Sequence, residues 1–153
     1  MPGPSNADTS LTIIRNLNAP IVDVYNAWTD PAVMGTWFAP NGYHVEELEL
    51  DVRAGGRYRT VAAGTQGDRH TTVGEYLEVA PNARLVLSWI HDGDPATGDT
   101  DASRLIVTFR ETSPTTTRLT LVHEQIATPS GRDALFASWI ECLHKLETIF
   151  QVR

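Results

Sequence analysis

Residues 118–150 read RLTLVHEQIATPSGRDALFASWIECLHKLETIF, and the change of period inside this stretch decides the fold. Up to Glu124 the pattern is that of a strand, with Leu119, Leu121 and His123 on one face of an extended chain. From Pro129 to Phe150 the spacing is helical. Leu135, Trp139, Cys142, Leu146 and Ile149 form one stripe, which Phe136, Ile140, Leu143 and Phe150 widen. A helix of about 20 residues reaches about 30 Å, long enough to cross a whole sheet. Two caps are open to it: Ser130 with Asp133 resembles a capping box, and Thr128 stands before Pro129.

Upstream of this stretch, strand-like runs alternate with turn residues. The runs are Tyr43–Val52, Arg57–Ala63, His70–Val79, Arg84–His91, Ser103–Thr112 and Thr117–Glu124. Between them lie Ala54-Gly55-Gly56, Gly64–Asp68, Pro81-Asn82, Asp92–Asp101 and Ser113-Pro114, all rich in residues that favour turns or positive φ. Such short connections predict an antiparallel meander. A further strand is expected over Ser10–Leu17. After Pro20, the residues Ile21, Val24, Tyr25 and Trp28 describe an amphipathic helix. Asp30 then caps a second, short helix that begins at Pro31 and carries Val33, Met34, Trp37 and Phe38. The architecture expected is α+β: one sheet face packed on a long C-terminal helix, with two short helices after the first strand. Residues 1–9 read as a disordered tail and 10–153 as a single domain.

Composition agrees with one globular unit and excludes several functions. The 153 residues carry 12 Lys and Arg against 19 Asp and Glu, a formal charge of −7. That balance, with basic residues scattered, argues against binding the phosphate backbone of nucleic acid. Cys142 is the only cysteine, so neither a disulfide framework nor a cysteine-based zinc site is expected, and a cytoplasmic location fits. No apolar run approaches the roughly 18 residues of a membrane span, and Met1–Ser10 has no leader character.

Several stretches together resemble the bacterial homologues of the activator of heat-shock protein 90 ATPase. They are APIVDVYNAWTDP at 19–31 followed by Trp37-Phe38, DVRAGGRYR at 51–59, GEYLEV at 74–79, RLVLSW at 84–89, VTF at 107–109 and RLTLVHE at 118–124. The resemblance covers about residues 11–151 and extends to the START-like, or SRPBCC and Bet v-type, superfamily. It implies a helix-grip fold: a curved seven-stranded antiparallel sheet wraps the C-terminal helix, the short helices close one end, and an apolar cavity lies between sheet and helix. Two positions depart from the family's usual pattern. Phe38 stands where a second tryptophan is common, and Ser138 where glycine often precedes the helix tryptophan.

Chemistry-bearing residues are few. Trp28, Trp37, Phe38, Tyr58, Trp89, Phe109, Phe136 and Trp139 fall in the inward phase of their elements, where rings fill a core or line a cavity. With the resemblance in view, these eight, together with Tyr76, His123 and Leu143, are the candidate ligand-binding residues. His123 is the best candidate acid or base, because its parity with Leu119 and Leu121 points it inward. Tyr76 shares the parity of Glu78, unless a bulge at Gly74 inverts the assignment. Cys142 reads as a core residue. His144, about 100° around the helix, forms no dyad with it. His44, His70 and His91 occupy strand ends without metal-ligand spacing. Asp92–Asp101 lacks the glutamate of a calcium loop, and no phosphate-cradling glycine motif is present, so neither metal nor cofactor is expected.

The expected function is binding of a small apolar or amphipathic molecule. One alternative is a cyclase- or lyase-type enzyme acting through His123, as in the wider superfamily. The other is a co-chaperone that stimulates the heat-shock ATPase, which the length disfavours because it leaves no room for the eukaryotic activators' separate N-terminal domain. A homodimer stays open.

Overall fold

The computed structural model describes residues 8–91 and 102–151. The expectations for residues 1–7 and for the Asp92–Asp101 loop lie outside the described residues. In chain order the elements are β1 (Leu11–Leu17), α1 (Ile21–Thr29), α2 (Pro31–Met34), β2 (Tyr43–Leu50), β3 (Arg57–Gly64), β4 (Arg69–Ala80), β5 (Arg84–His91), β6 (Ser103–Ser113), β7 (Thr116–Glu124) and α3 (Pro129–Gln151). The seven strands form one antiparallel sheet in the order β1-β7-β6-β5-β4-β3-β2. The meander therefore runs β2 to β7 without a crossover, and β1 closes the far edge beside β7. This is the α+β arrangement of sheet and long helix that the change of period at Pro129 predicts, and the helix-grip fold that the family resemblance implies.

Strand alternation sets the inner face. Leu11 and Ile13 on β1, Leu85 and Leu87 on β5, Leu105 and Val107 on β6, and Leu119 and Leu121 on β7 are all buried. α3 lays Trp139, Cys142, Leu143 and Leu146 against that face. Its first turns carry half-buried Leu135 and Ser138 and exposed Ala134, because there the helix spans open space instead of packed side chains. α1 contributes Val24, Ala27 and Trp28 to the same core.

Local details refine several sequence expectations. α2 ends at Met34, with Gly35 as its C-cap, so Trp37 and Phe38 lie on the turn after the helix. Their backbone N–H groups still reach Met34 O. Thr128 caps α3: its hydroxyl accepts the Gly131 N–H at 3.0 Å. The register shift in β4 falls between Tyr76 and Glu78, not at Gly74. Tyr76 consequently points inward and is buried, while Leu77 and Glu78 are exposed. Thr9 is already tied to the domain, since its carbonyl accepts the Ile126 N–H at 3.0 Å.

Candidate functional site

A cavity of about 480 Å³ opens between the sheet and the N-terminal half of α3. Its helix wall is Gly131, Ala134, Leu135, Ser138, Trp139 and Cys142, and the segment Ile126–Thr128 extends it. Trp89 on β5 and Phe38 after α2 form its apolar floor with Trp139. These three rings make a closed triangle, with centroids 6.0 Å apart for Phe38–Trp89, 5.7 Å for Phe38–Trp139 and 5.4 Å for Trp89–Trp139. The opposite end is polar and is built from Tyr43 on β2, Thr60 on β3, His70 and Thr72 on β4, and His91 on β5.

Of the ligand-binding residues expected from sequence, Phe38, Trp89 and Trp139 line this cavity. Trp28 and Trp37 lie behind the floor in edge contact at 4.7 Å, and the Trp37 indole N–H donates to Ala27 O at 3.0 Å. Phe109 packs on Tyr25 towards α1, with centroids 5.4 Å apart. Leu143 is buried in the core, and Phe136 is half-buried beneath the Arg132 guanidinium. Tyr58 and Tyr76 form a buried pair 5.7 Å apart. Burial, reinforced by a neighbouring tyrosine in each case, raises both phenol pKa values, so both stay protonated. The Tyr58 hydroxyl donates to Ser88 O at 2.6 Å, across Gly74.

His123 is completely buried behind the cavity wall. The Trp139 indole, a donor only, gives its proton to His123 Nδ1 at 3.1 Å. Nδ1 is therefore the acceptor, which places the ring proton on Nε2, 2.7 Å from Ser103 Oγ. Ser103 in turn donates to Trp89 O at 3.3 Å. Register sets up this relay: Trp89 pairs with Ser103, and Leu105, two residues further along β6, pairs with His123. Burial lowers the imidazole pKa to about 4, so the ring is neutral at physiological pH with both nitrogens engaged. His123 thus holds the tryptophan wall in place and is not itself part of the cavity lining.

The polar end has its own order. Asp68, in the turn between β3 and β4, accepts the Tyr43 hydroxyl and lies 3.2 Å from His70 Nε2. That hydroxyl bond, with His70 beside it, holds the Asp68 carboxyl below its ordinary range. His70 and His91 stack with centroids 5.6 Å apart and planes 14° from parallel, and Thr72 Oγ1 lies 3.2 Å from His91 Nδ1. Sequence reasoning set these two histidines aside as strand-end residues. The available signal was hairpin register: Ala62 opposes His70, Thr60 opposes Thr72, and Thr72 opposes His91. Cys142 reaches the cavity with its thiol pushed up to about 12 by burial, so it meets a ligand as a neutral thiol. Among the described residues, no three His, Cys, Asp or Glu side chains gather closely enough for a metal ion, and no helix is long and apolar enough to cross a membrane.

Solved structures share this architecture. A protein from Chromobacterium violaceum is 27% identical with a TM-score of 0.80, covering 94% of this chain and 99% of its own. One from Nitrosomonas europaea is 23% identical with a TM-score of 0.79, covering 96% and 97%. A Plasmodium falciparum protein described as an HSP90 activator is 22% identical with a TM-score of 0.70, covering 92% and 95%. Below 25% identity such likeness speaks for the fold alone. A search of curated proteins found no match. The family model described as "Activator of Hsp90 ATPase homolog 1-like protein" matches residues 18–151, nearly the whole helix-grip domain, and the chain belongs to that family.

Proposed function

We propose that the chain binds a small hydrophobic or amphipathic molecule between the sheet and α3. The observation that carries this reading is the cavity itself: about 480 Å³ of space beside the Phe38–Trp89–Trp139 triangle. That volume falls within the range of about 300–1,000 Å³ found for small-molecule pockets. Burying the ligand's apolar area there contributes about 25 cal/mol per Å². Two tryptophans in the wall supply the readout. Titration with sterols, flavonoids, fatty acids and polyketide-like aromatics quenches their fluorescence and raises the melting temperature for the class that fits. Ser138→Phe, which fills the cavity from the helix side, abolishes the response. A panel without quenching or thermal shift overturns the proposal. Since both His123 nitrogens are engaged, the geometry lends no support to an enzyme working through that residue. A cytoplasmic location belongs to the same proposal, and cell fractionation checks it.

A second reading rests on the family description and on the Plasmodium falciparum neighbour described as an HSP90 activator. It makes the chain a stimulator of the chaperone's ATPase. An ATPase assay with the cognate chaperone tests it, and unchanged turnover at excess protein rejects it.

A further inference from the structure

Thr60, on the sheet wall of the cavity, stands apart from the other polar residues of the core. Thr60, Thr72, Thr117 and His123 are all buried. Three of the four have protein partners. Thr117 Oγ1 donates to Ala19 O at 2.8 Å, Thr72 Oγ1 lies 3.2 Å from His91 Nδ1, and His123 engages both Trp139 and Ser103. The Thr60 hydroxyl, on a residue only 5% exposed, has no hydrogen-bond partner among the described residues. Register puts it directly opposite Thr72, whose own hydroxyl is turned to His91 instead. Nor is Thr60 sealed in. Among the described residues, the buried side-chain atoms that lack both a partner and open space are the indole nitrogens of Trp28 and Trp89. Thr60 Oγ1 therefore meets open space, and the space that Thr60 lines is the cavity. A hydroxyl carries one proton and two lone pairs, and the proton is the half that is rarely left unused in a protein interior.

We propose that Thr60 is the polar anchor of the cavity, and that its hydroxyl donates to the carbonyl oxygen of a ketone or ester on an otherwise apolar ligand. The ligand's apolar body then lies against Phe38, Trp89 and Trp139. A carbonyl matches this anchor because it accepts the proton and brings none of its own that would need a further acceptor. A carboxylate is a poorer match: it needs several donors to replace its hydration, and neither Lys nor Arg lines the cavity. This inference rests on the cavity-binding reading and adds to it the polar group of the ligand and the strand that holds it.

Equilibrium dialysis of the full chain against two probes of one shape tests it: 2-acetylnaphthalene and 2-isopropenylnaphthalene, which differ only by C=O against C=CH2. Thr60→Val replaces the hydroxyl with a methyl group of similar size. The affinity ratio, ketone over alkene, should fall about tenfold from the parent to the variant, the worth of one well-made hydrogen bond. The fall should come from weaker ketone binding, with the alkene bound as well as before or better. Without ligand, Thr60→Val should melt at or above the parent, because the hydroxyl it removes has no protein partner to lose. A ratio that survives in the variant, or a variant that melts clearly below the parent without ligand, overturns the anchor and leaves the cavity reading standing. Binding of neither probe to either protein removes the cavity reading and the anchor with it.

Discussion

The indole N–H of Trp139 on α3 donates to Nδ1 of His123 on β7 at 3.1 Å, and this bond ties the helix to the sheet at the floor of the cavity. Each partner fixes the other. The bond orients the tryptophan ring as a wall and selects the histidine tautomer that donates onward to Ser103. It has a consequence for pH. The unfolded imidazole takes up a proton near 6.5, while the folded one does so only near 4 because burial disfavours the cation. Between those values the unfolded chain holds more protons, so stability rises with pH across the window. It is complete above about 6.5 and falls away towards 4. The displacement corresponds to about 3 kcal/mol at order-of-magnitude precision. Urea melts between pH 4 and 7 should show this slope, and His123→Gln should flatten it. An unchanged slope in that variant would assign the effect to other groups.

His123→Ala tests the same relay at neutral pH. The truncation leaves the Trp139 N–H and the Ser103 hydroxyl without their buried partner and opens a void beside Trp89. One unmet indole N–H, a weakened serine contact and a small cavity together cost about 3–5 kcal/mol. His123→Gln keeps an amide that can both accept and donate and should lose less than half of that. The two variants melting alike would mean that packing, not hydrogen bonding, sets the cost.

Much of the fold was legible because period and punctuation agree. Alternation in Leu119-Thr120-Leu121, Pro129 and the long stripe beyond it point to a sheet face packed on a long helix, and the family resemblance supplies the helix-grip arrangement. The site was legible only in part. Phe38, Trp89 and Trp139 are large and inward-phased, but so are Trp28, Trp37 and Tyr58, and parity cannot tell a ring that faces a void from one that faces another ring. His123 looked reactive because sequence shows its direction but not the Trp139 and Ser103 partners that occupy it. The polar end was hidden for the opposite reason. Tyr43, Asp68, His70 and His91 lie at strand ends and in a turn, where local pattern is weakest, and only register across β2–β5 brings them together.

At Gly74 close approach dictates the residue. A Cβ there would meet Ser88 O at 2.0 Å and the Tyr58 ring at 2.7 Å, so the Tyr58 side chain crosses β4 only over a bare backbone. Gly74→Ala should force β4 and β5 apart and cost at least about 2–3 kcal/mol. Tyr58→Phe keeps the ring and loses only the bond to Ser88 O, for about 1–2 kcal/mol. Thermal melts rank the pair. A Gly74→Ala variant as stable as the parent would show that the strand edge relaxes freely.

Thr128 offers a milder test at the cavity rim. Its hydroxyl accepts the Gly131 N–H in the first turn of α3, and the residue also lines the opening. Thr128→Ala should cost about 1 kcal/mol and Thr128→Ser much less, since serine keeps the cap. Chemical denaturation measures both. Equal loss in the two variants would point to the methyl group instead of the hydroxyl.

A latch of hydrogen bonds joins α3 to the segment after Phe38. Lys145 on α3 donates to Ala39 O at 2.7 Å and to Pro40 O at 3.2 Å, and Glu141 one turn earlier accepts the Asn41 N–H at 3.0 Å. These contacts pin the short segment that carries Phe38 and Pro40 into the cavity wall, and Gly42, at φ +86°, supplies the bend that turns this segment into β2. Lys145→Met keeps the aliphatic stem and removes the donor. Ala39 is buried and Pro40 half-buried, so the two carbonyls regain water only in part and the stability loss should be about 1–3 kcal/mol. The larger effect falls on dynamics. With the segment held at one point instead of two, amides around 38–43 should exchange hydrogen faster than in the parent, while those of β6 and β7 stay unchanged. If the segment gates the cavity, association and dissociation of a bound probe should quicken together with little change in affinity. Hydrogen exchange confined to its parental rate at 38–43 would show that Glu141 and the Phe38 ring suffice to hold the wall.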